Sequence, residues 1–521
     1  MTNSGHNKPS SVTRTLPEVL LELERVSAEL LRVQTLLKFK EEQLRLIHLQ
    51  KWGPKADNLS PDQLTLLPGE IIVAGPEVVK EAGLPDKQLP KPKAARPNHP
   101  GRMVLPASLE RREVILPCDP KDRVCPKCGK ERPFLGYDTR EELDCKPVEY
   151  FVLVIKRAKY GSHCESEQGV VTAPAPAQIV PKGKLSNAFI IEIISAKFQQ
   201  HTPVYRQCAL LLEEHGIELS RQTLNEALLA SGALLVPVVA AQAAGLLAGG
   251  YIQADETTMP CQTREKPGKN HPAYLWEYSS PGGPVVFQFE MSRGREGPAR
   301  FLKNYRGVLQ CDGYGAYKDL GEGVTFVACM AHIRRKFVEA GKLSPLDPLP
   351  VEIVGRIGLL YQVEQEARTG NLSPEARLGL RRERSQPVMT ALKTRIVQIR
   401  AGVTPASSLA KACDYALGQW ERMEGYLRNG RVEIDNNWCE GAMRPVALGR
   451  KNWLHVGDAK AGPKIAALIS IVETCRRLDI PLREYLRDVL PKIGGWSSTH
   501  IADLTPAHWK ASRQSPTAPP A

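Results

Sequence analysis

Tyr251–Thr257 reads YIQADET, and two similar runs follow it: Tyr274–Ser279, YLWEYS, and Val285–Glu290, VVFQFE. Short β-branched and aromatic runs separated by Pro and Gly predict a three-stranded meander. A helical segment, Pro298–Tyr305, leads to a fourth strand, Val308–Cys311, which ends in Asp312-Gly313-Tyr314. A further strand, Val324–Cys329, runs into a basic helix, Ala331–Gly341. Strands followed by alternating helices and strands predict an α/β layer fold.

Two acids stand out within this pattern. Asp255 closes Ile252-Gln253-Ala254, and Asp312 closes Val308-Leu309-Gln310-Cys311. Carboxylates that leave neighbouring buried strands at a sheet edge can meet, and such pairs hold hard divalent cations through oxygen. Taken singly, each is equally a turn-starting aspartate. A third acid lies in Ile434–Pro445, IDNNWCEGAMRP, a helix opened by Asp435 or Asn436 as N-cap. Glu440 and Arg444 then stand four apart on one face. An Asp, Asp, Glu set on two strands and a helix suits two Mg²⁺ ions at a phosphodiester. One would lower the pKa of the attacking water or 3′-hydroxyl, and the other would stabilise the leaving oxygen.

Around this centre the chain is long and basic: 521 residues, a net charge of +13 and a pI near 9.1. At 42% hydrophobic and 24% charged, the composition excludes a disordered or fibrous chain. A polyanion is the first partner to consider. Twelve cysteines are too sparse for a disulfide scaffold, and Met1–Ser11 lacks the charged and apolar regions of a secretion signal. Leu16, Leu23, Leu30, Leu37 and Leu44 recur every seven residues, with Val19, Val26, Val33, Lys40 and Ile47 three places later. This fills both seam positions of a coiled coil over 14–52 and predicts self-association, against a helix packed on its own domain. Residues 85–101 form a basic Pro-rich linker. The module at 106–181 carries Cys125-Pro-Lys-Cys128, half a tetrahedral zinc site, with His163 and Cys164 after the strand-like Tyr150–Tyr160 as candidates for the other half. Residues 186–250 outline a helix-turn-helix and a connecting helix: Ser186–Gln199, Pro203–His215, Gly216, then Ser220 capping Gln222–Leu229 with Arg221 facing DNA. Leu228–Gly249 is uncharged and long enough to span a bilayer, but its Ala, Gly, Pro237 and Gln242 favour a buried helix.

Ala254-Asp255-Glu256-Thr257, Asp312-Gly313-Tyr314, Cys329–Phe337 (CMAHIRRKF), Ile434–Asn437 with Glu440, and Gly449–Leu454 (GRKNWL) occur in this order. Together they resemble transposases of the insertion-sequence-66 family, members of the DDE group with an RNase H-like catalytic core. The resemblance covers about Leu16 to Leu490. It implies a catalytic, Mg²⁺- or Mn²⁺-holding triad of Asp255, Asp312 and Glu440. It further implies an RNase H-like core at 251–455 with a helical insertion at about 343–430, a C-terminal helical region at 456–495 and a disordered tail at 510–521. The implied activity is binding of terminal inverted repeats followed by DNA strand cleavage and transfer, in a bacterial cytoplasmic, nucleoid-associated protein. A homo-oligomer through the coiled coil, Zn²⁺ in the finger-like module and small accessory proteins encoded nearby belong to the same expectation. His332, Arg334 and Arg335 read as DNA or active-site contacts, and Arg444, Arg450 and Lys451 as DNA contacts, with Trp453 and His455 stacking bases. The family usually shows Glu-Arg where this chain has Glu440-Gly441, and a Cys where it has Ser162. The alternatives are a non-catalytic DNA-binding protein or decayed transposase, and an RNase H-like nuclease outside transposition.

The basic surplus is concentrated. Segments 80–104, 376–400 and 444–464 carry +4, +6 and +4, which accounts for all of it. Arg377, Arg381, Arg382 and Arg384 in the second segment suit phosphate contacts or a solvated helix face.

Overall fold

The computed structural model describes residues 16–52, 149–157 and, with short interruptions, 159–514. The chain separates into residues 88–156 and the remainder. In the former, residues 149–156 are exposed and without regular structure. The strand expected at Tyr150–Tyr160 is therefore reduced to β1 (Lys159–Gly161), which finds an antiparallel partner in β2 (Val170–Thr172). Cys125, Cys128, His163, Cys164, the linker at 85–101 and the tail beyond 514 lie outside the described residues.

Helix α1 spans Leu16–Trp52, and the sequence continues with Gly53-Pro54, residue types that disfavour a helix. Its heptad leucines face solvent, with Leu16 76% and Leu44 67% exposed. A different, polar face docks on the main body: Lys38 pairs with Asp347 at 3.0 Å, and Arg45 donates to the Leu343 carbonyl at 2.9 Å. Between them the buried Glu42 accepts from the Ser344 hydroxyl at 2.7 Å and the Ser408 N–H at 3.2 Å. The apolar seam thus has no partner among the described residues.

Helices α2 (Asn187–Phe198) and α3 (Val204–His215) precede α4 (Arg221–Ala248). Gly216 ends α3 in the left-handed region (φ 65°), which glycine enters without a Cβ clash. The Ser220 hydroxyl caps α4 by accepting the Thr223 N–H at 3.1 Å. The capped helix expected at Gln222–Leu229 and the buried connecting helix expected at Leu228–Gly249 form one element, α4, which continues through Pro237 for 28 residues. Among the described residues it is the one helix long and apolar enough to cross a bilayer, and half of its apolar stretch is buried within the protein.

The central sheet contains β3 (Tyr251–Cys261), β4 (His271–Ser279), β5 (Val285–Glu290), β6 (Gly307–Cys311) and β7 (Val324–Ala328), in the order β5-β4-β3-β6-β7. The first three form an antiparallel meander, and β6 and β7 run parallel to β3. Helix α5 (Glu296–Phe301) precedes β6, and α6 (Met330–Leu343) follows β7. The insertion comprises α7 (Pro348–Thr369), α8 (Pro374–Leu380), a π-type turn at Arg381–Ser385, α9 (Gln386–Gly402), α10 (Ser408–Gly418) and α11 (Trp420–Met423). With α6 it builds its own apolar cluster around Phe337, Ile357, Leu360, Leu392 and Ile396. The chain then returns to the sheet as α12 (Asn437–Trp453), followed by α13 (Gly462–Arg477), α14 (Leu482–Ile493) and α15 (Pro506–Gln514). Residues 510–514, read from sequence as tail, belong to α15. Its Trp509 is buried against Tyr485 and donates to Asp488 at 2.8 Å.

An edge strand exposes unpaired backbone groups that invite aggregation, and here α13 covers the edge strand β5. Ser470 accepts the Phe287 N–H at 2.8 Å and Thr474 the Val285 N–H at 3.0 Å, while Gln242 of α4 donates to the Val285 carbonyl at 2.7 Å. Helices α4 and α13 cross closely at Gly232, where a Cβ would sit 2.5 Å from the Lys464 carbonyl oxygen. Alanine there gains about 1 kcal/mol of helix propensity, but overpacking of rigid backbone costs about 1–3 kcal/mol. Gly232→Ala is therefore expected to lower the midpoint of denaturant unfolding; an unchanged or raised midpoint would contradict the close crossing.

Candidate active site

The parallel pairing of β3 and β6 covers only Tyr251↔Val308 to Gln253↔Gln310. Side chains two apart share a sheet face, so Asp255 and Asp312 continue the row begun by Gln253 and Gln310, beyond the point where β6 ends. The sequence placed Asp255 at the close of a strand. Instead β3 runs on to Cys261, paired with β4, and Asp255 lies mid-strand where its parallel neighbour leaves it. The crevice that opens at the ends of such strands is where α/β sheets bind ligands.

A buried polar ladder brings the third acid to this crevice. Tyr251 Oη donates to Gln310 Oε1 at 2.6 Å, and Gln253 Nε2 donates to the same oxygen at 2.9 Å. The two glutamines also grip the incoming loop, Gln253 through the Asp435 carbonyl at 2.8 Å and Gln310 through the Glu433 carbonyl at 2.9 Å. In return, the Glu433 N–H donates to Tyr251 Oη at 3.0 Å and the Cys439 N–H to Gln253 Oε1 at 3.3 Å. The Cys439 N–H is shared with the Asn436 carbonyl at 3.0 Å, so this last bond ties the first turn of α12 to the ladder. Asp435 binds the Asn437 N–H at 3.2 Å, so Asn436 holds the N-cap position and Glu440 falls on the first turn. Burial pushes the Asp435 carboxyl up to about 6, against the pull of the Asn437 N–H and Arg368.

Glu440 meets α6: its Oε1 is 3.7 Å from His332 Nδ1, and its Oε2 is 3.6 Å from Arg335 Nη2. Asp255 is pushed well above the usual carboxylate range by burial first, then by the charges of Glu440, Glu256 and Asp312. The field of Glu440 acts on Arg444, and that of Asp312 on His332, whose pKa burial lowers. Asp312 accepts the Tyr314 N–H at 2.8 Å, and its carbonyl takes the Tyr415 hydroxyl of α10 at 2.8 Å. Crowded carboxylates of this kind oppose one another's ionisation unless a cation joins them.

The sequence reading missed Glu256, which points to the opposite face from Asp255. It pairs with Arg293 at 2.6 Å and accepts from the Tyr317 hydroxyl at 3.3 Å. Nothing in the pattern marked Arg293, on the turn after β5. Other candidate residues have partners within the protein. Arg450 donates to Thr257 Oγ1 at 3.3 Å and to the Thr258 carbonyl and hydroxyl, so its guanidinium pins α12 to β3. Trp453, half-buried, packs edge-on against Phe198 at 5.3 Å. Arg334 and Lys451 lie on α6 and α12, and Arg221 is exposed at the start of α4.

Of the four arginines singled out in the insertion, Arg382 and Arg384 are exposed, as a solvated helix face would place them, whereas Arg377 and Arg381 are held inside the protein. Arg381 is fully buried, bound to both oxygens of Glu364 (2.7 and 2.8 Å) and to the carbonyls of Tyr426, Asn429 and Val432. Arg377 joins Glu364 to Glu433, and Arg368 also pairs with Glu433 at 2.7 Å. Burial alone would raise the Glu433 carboxyl, yet Arg377 and Arg368 hold it down to about 2. Arg384, Arg395 and Arg400 pair with Glu366, Glu352 and Asp414. Local charge counting missed these partners because Glu364, Glu366 and Glu352 lie on the preceding helix, outside the basic segment.

Fold and site together define an α/β protein whose acidic centre sits where two parallel strands part. Comparison with known proteins then names the group. The family described as "Transposase IS66 family" matches residues 182–464, and the "zinc-finger binding domain of transposase IS66" matches residues 122–165. The chain belongs to the IS66 family of transposases. Three uncharacterized proteins of Sinorhizobium fredii are similar over most of their length. The protein y4jD is 34% identical over 429 residues, 78% of this chain and 82% of its own. The protein y4hP is 30% identical over 475 residues (86% and 84%), and y4qI 30% over 518 (94% and 93%).

Two outcomes follow from the buried charges. Arg381→Met takes from the buried Glu364 the partner that binds both its oxygens, leaving it Arg377 alone, and strips three backbone carbonyls of their donor; it is expected to cost about 3–5 kcal/mol in unfolding free energy, and a loss under 1 kcal/mol would place that energy elsewhere. Beneath α12, Glu277 is pushed up to about 7 by burial, against Arg477 and the Cys439 thiol that donates to it. A raised acid favours the folded state fully below its ordinary value of 4.5, and that contribution is lost as pH rises through about 7. In Glu277→Gln the unfolding free energy should vary less with pH over this window.

Proposed function

We propose that this protein is a DDE-type DNA transposase with an RNase H-like core, which binds the terminal inverted repeats of an insertion sequence and cleaves and transfers DNA strands. The observation that carries the reading is the convergence of Asp255 on β3, Asp312 just past the end of β6 and Glu440 on α12, with Asp255 pushed up by burial and then by the charges of its neighbours. Glu440 Oε1 is buried without a hydrogen-bond partner, as a metal-binding oxygen would be. The donor set is all oxygen and anionic, which fits a hard divalent cation, Mg²⁺ or Mn²⁺. Such a cation, when bound, lowers the pKa of the attacking hydroxyl and stabilises the leaving oxygen.

The protein's own groups prepare the site. The glutamine ladder fixes Glu440 opposite Asp255 and Asp312, and Arg335 and Arg444 bring positive charge to the rim, where a DNA phosphate would lie. The exposed first turn of α4, with Arg221, belongs to a helix-turn-helix that reads the repeats. The heptad face of α1 pairs with a second copy as a coiled coil, and the finger module, with Cys125 and Cys128, holds Zn²⁺. Small proteins encoded nearby assist, and the reaction takes place on the bacterial nucleoid in the cytoplasm.

Asp255→Asn and Asp312→Asn should each reduce Mg²⁺-dependent cleavage of end-containing DNA by at least about 100-fold, with unfolding behaviour retained. Cleavage persisting in either variant would sink the catalytic assignment. Specific DNA binding without metal-dependent cleavage by the unaltered protein would instead identify a non-catalytic DNA-binding protein.

A further inference from the structure

Cys329 and His332 were read from sequence as packing and DNA-contact residues. The structure puts both against Glu440: a Cys329 Sγ, a His332 ring nitrogen and a Glu440 oxygen all lie within 4.8 Å of one another. We propose that Cys329, His332 and Glu440 form a binding site for a borderline-soft divalent cation, Zn²⁺, which shares Glu440 with the three-carboxylate centre.

Tetrahedral zinc ligands with bonds of about 2.0–2.3 Å stand roughly 3.3–3.8 Å apart, and the His332–Glu440 separation is 3.7 Å. That distance is too long for a hydrogen bond. Accordingly His332 Nδ1 and Glu440 Oε1 are both buried with no hydrogen-bond partner, although they face each other. A cation between them would satisfy both. The third donor is held in place: Cys329 immediately precedes α6, its sulfur accepts the Asn436 N–H at 3.4 Å, and the Met330 N–H donates to the Ile434 carbonyl at 3.1 Å. These two bonds tie the Cys-x-x-His turn to the loop that carries Glu440. Arg335, near Oε2 at 3.6 Å, leaves Oε1 as the oxygen free to bind.

Sulfur and imidazole donors select Zn²⁺ over Mg²⁺. A thiolate, a carboxylate and a neutral imidazole balance the charge of the cation, and three protein ligands leave a fourth position open. Because Glu440 serves both sets, zinc here withdraws an oxygen from Asp255 and Asp312. The consequence rests on the catalytic reading above; the zinc site itself does not.

The test uses the full-length protein with Cys125→Ser and Cys128→Ser introduced to silence the finger module. Titrated with Co²⁺, it should bind one equivalent and develop a near-ultraviolet thiolate-to-cobalt band that Zn²⁺ abolishes. The band should vanish on adding Cys329→Ser, and independently on adding His332→Gln, with circular dichroism checking that each variant folds. It should persist with Asp255→Asn, which disables the proposed catalytic set while leaving these three ligands intact. Absence of a band, or one that survives in folded Cys329→Ser, overturns the zinc site. Loss of cleavage in Asp255→Asn with the band retained separates the two readings.

Discussion

The site depends on one buried polar ladder, formed by Tyr251, Gln253 and Gln310. Its members are strand residues with no solvent to fall back on, so each unmade hydrogen bond would cost the desolvation of a buried polar group. The ladder spends its remaining donors and acceptors on the backbone of 433–439, a segment that reaches the sheet only after the whole helical insertion. An apolar contact would have allowed that segment to slide. Directional bonds fix its register, and with it the rotation of α12 that presents Glu440.

The same loop is held from the other side by charge. Glu364, Arg368, Arg377, Arg381 and Glu433 form a buried cluster in which every charge has a partner. Such a cluster contributes little net stability over an apolar packing of the same volume, but it is costly to break. It couples the insertion to the approach of the Glu440 helix, making the insertion part of the site's scaffold. The basic surplus that pointed to a polyanion is correspondingly narrower than the sequence suggests, since Arg377 and Arg381 of the insertion are spent internally.

Much of the fold was legible. The meander, the two following strands, and the helices capped by Ser186 and Ser220 followed from periodicity and turn chemistry, because those signals are local. The helical character of Leu228–Gly249 was legible as well; its fusion with the Ser220-capped helix into α4 was not, since burial against α13 and β5 carries the helix through Leu229 and Pro237 without a break. Asp255, Asp312 and Glu440 stand out in the sequence by residue type and position, but Glu256 and Arg293 do not, because face parity and a turn's direction decide their place. The partners of Arg450 and Trp453 within the protein were not legible for a related reason: a basic or aromatic side chain carries the same local signal whether it meets DNA or its own protein.

By itself the sequence determined the strand and helix inventory, the residue types able to hold a cation, and the family to which the chain belongs. Only the tertiary structure decided which charges meet. Electrostatic and metal-binding partnerships depend on distances of a few ångströms between residues more than a hundred positions apart. Cys329, His332 and Glu440 became one site, and Arg381 became core, through packing that no local pattern encodes.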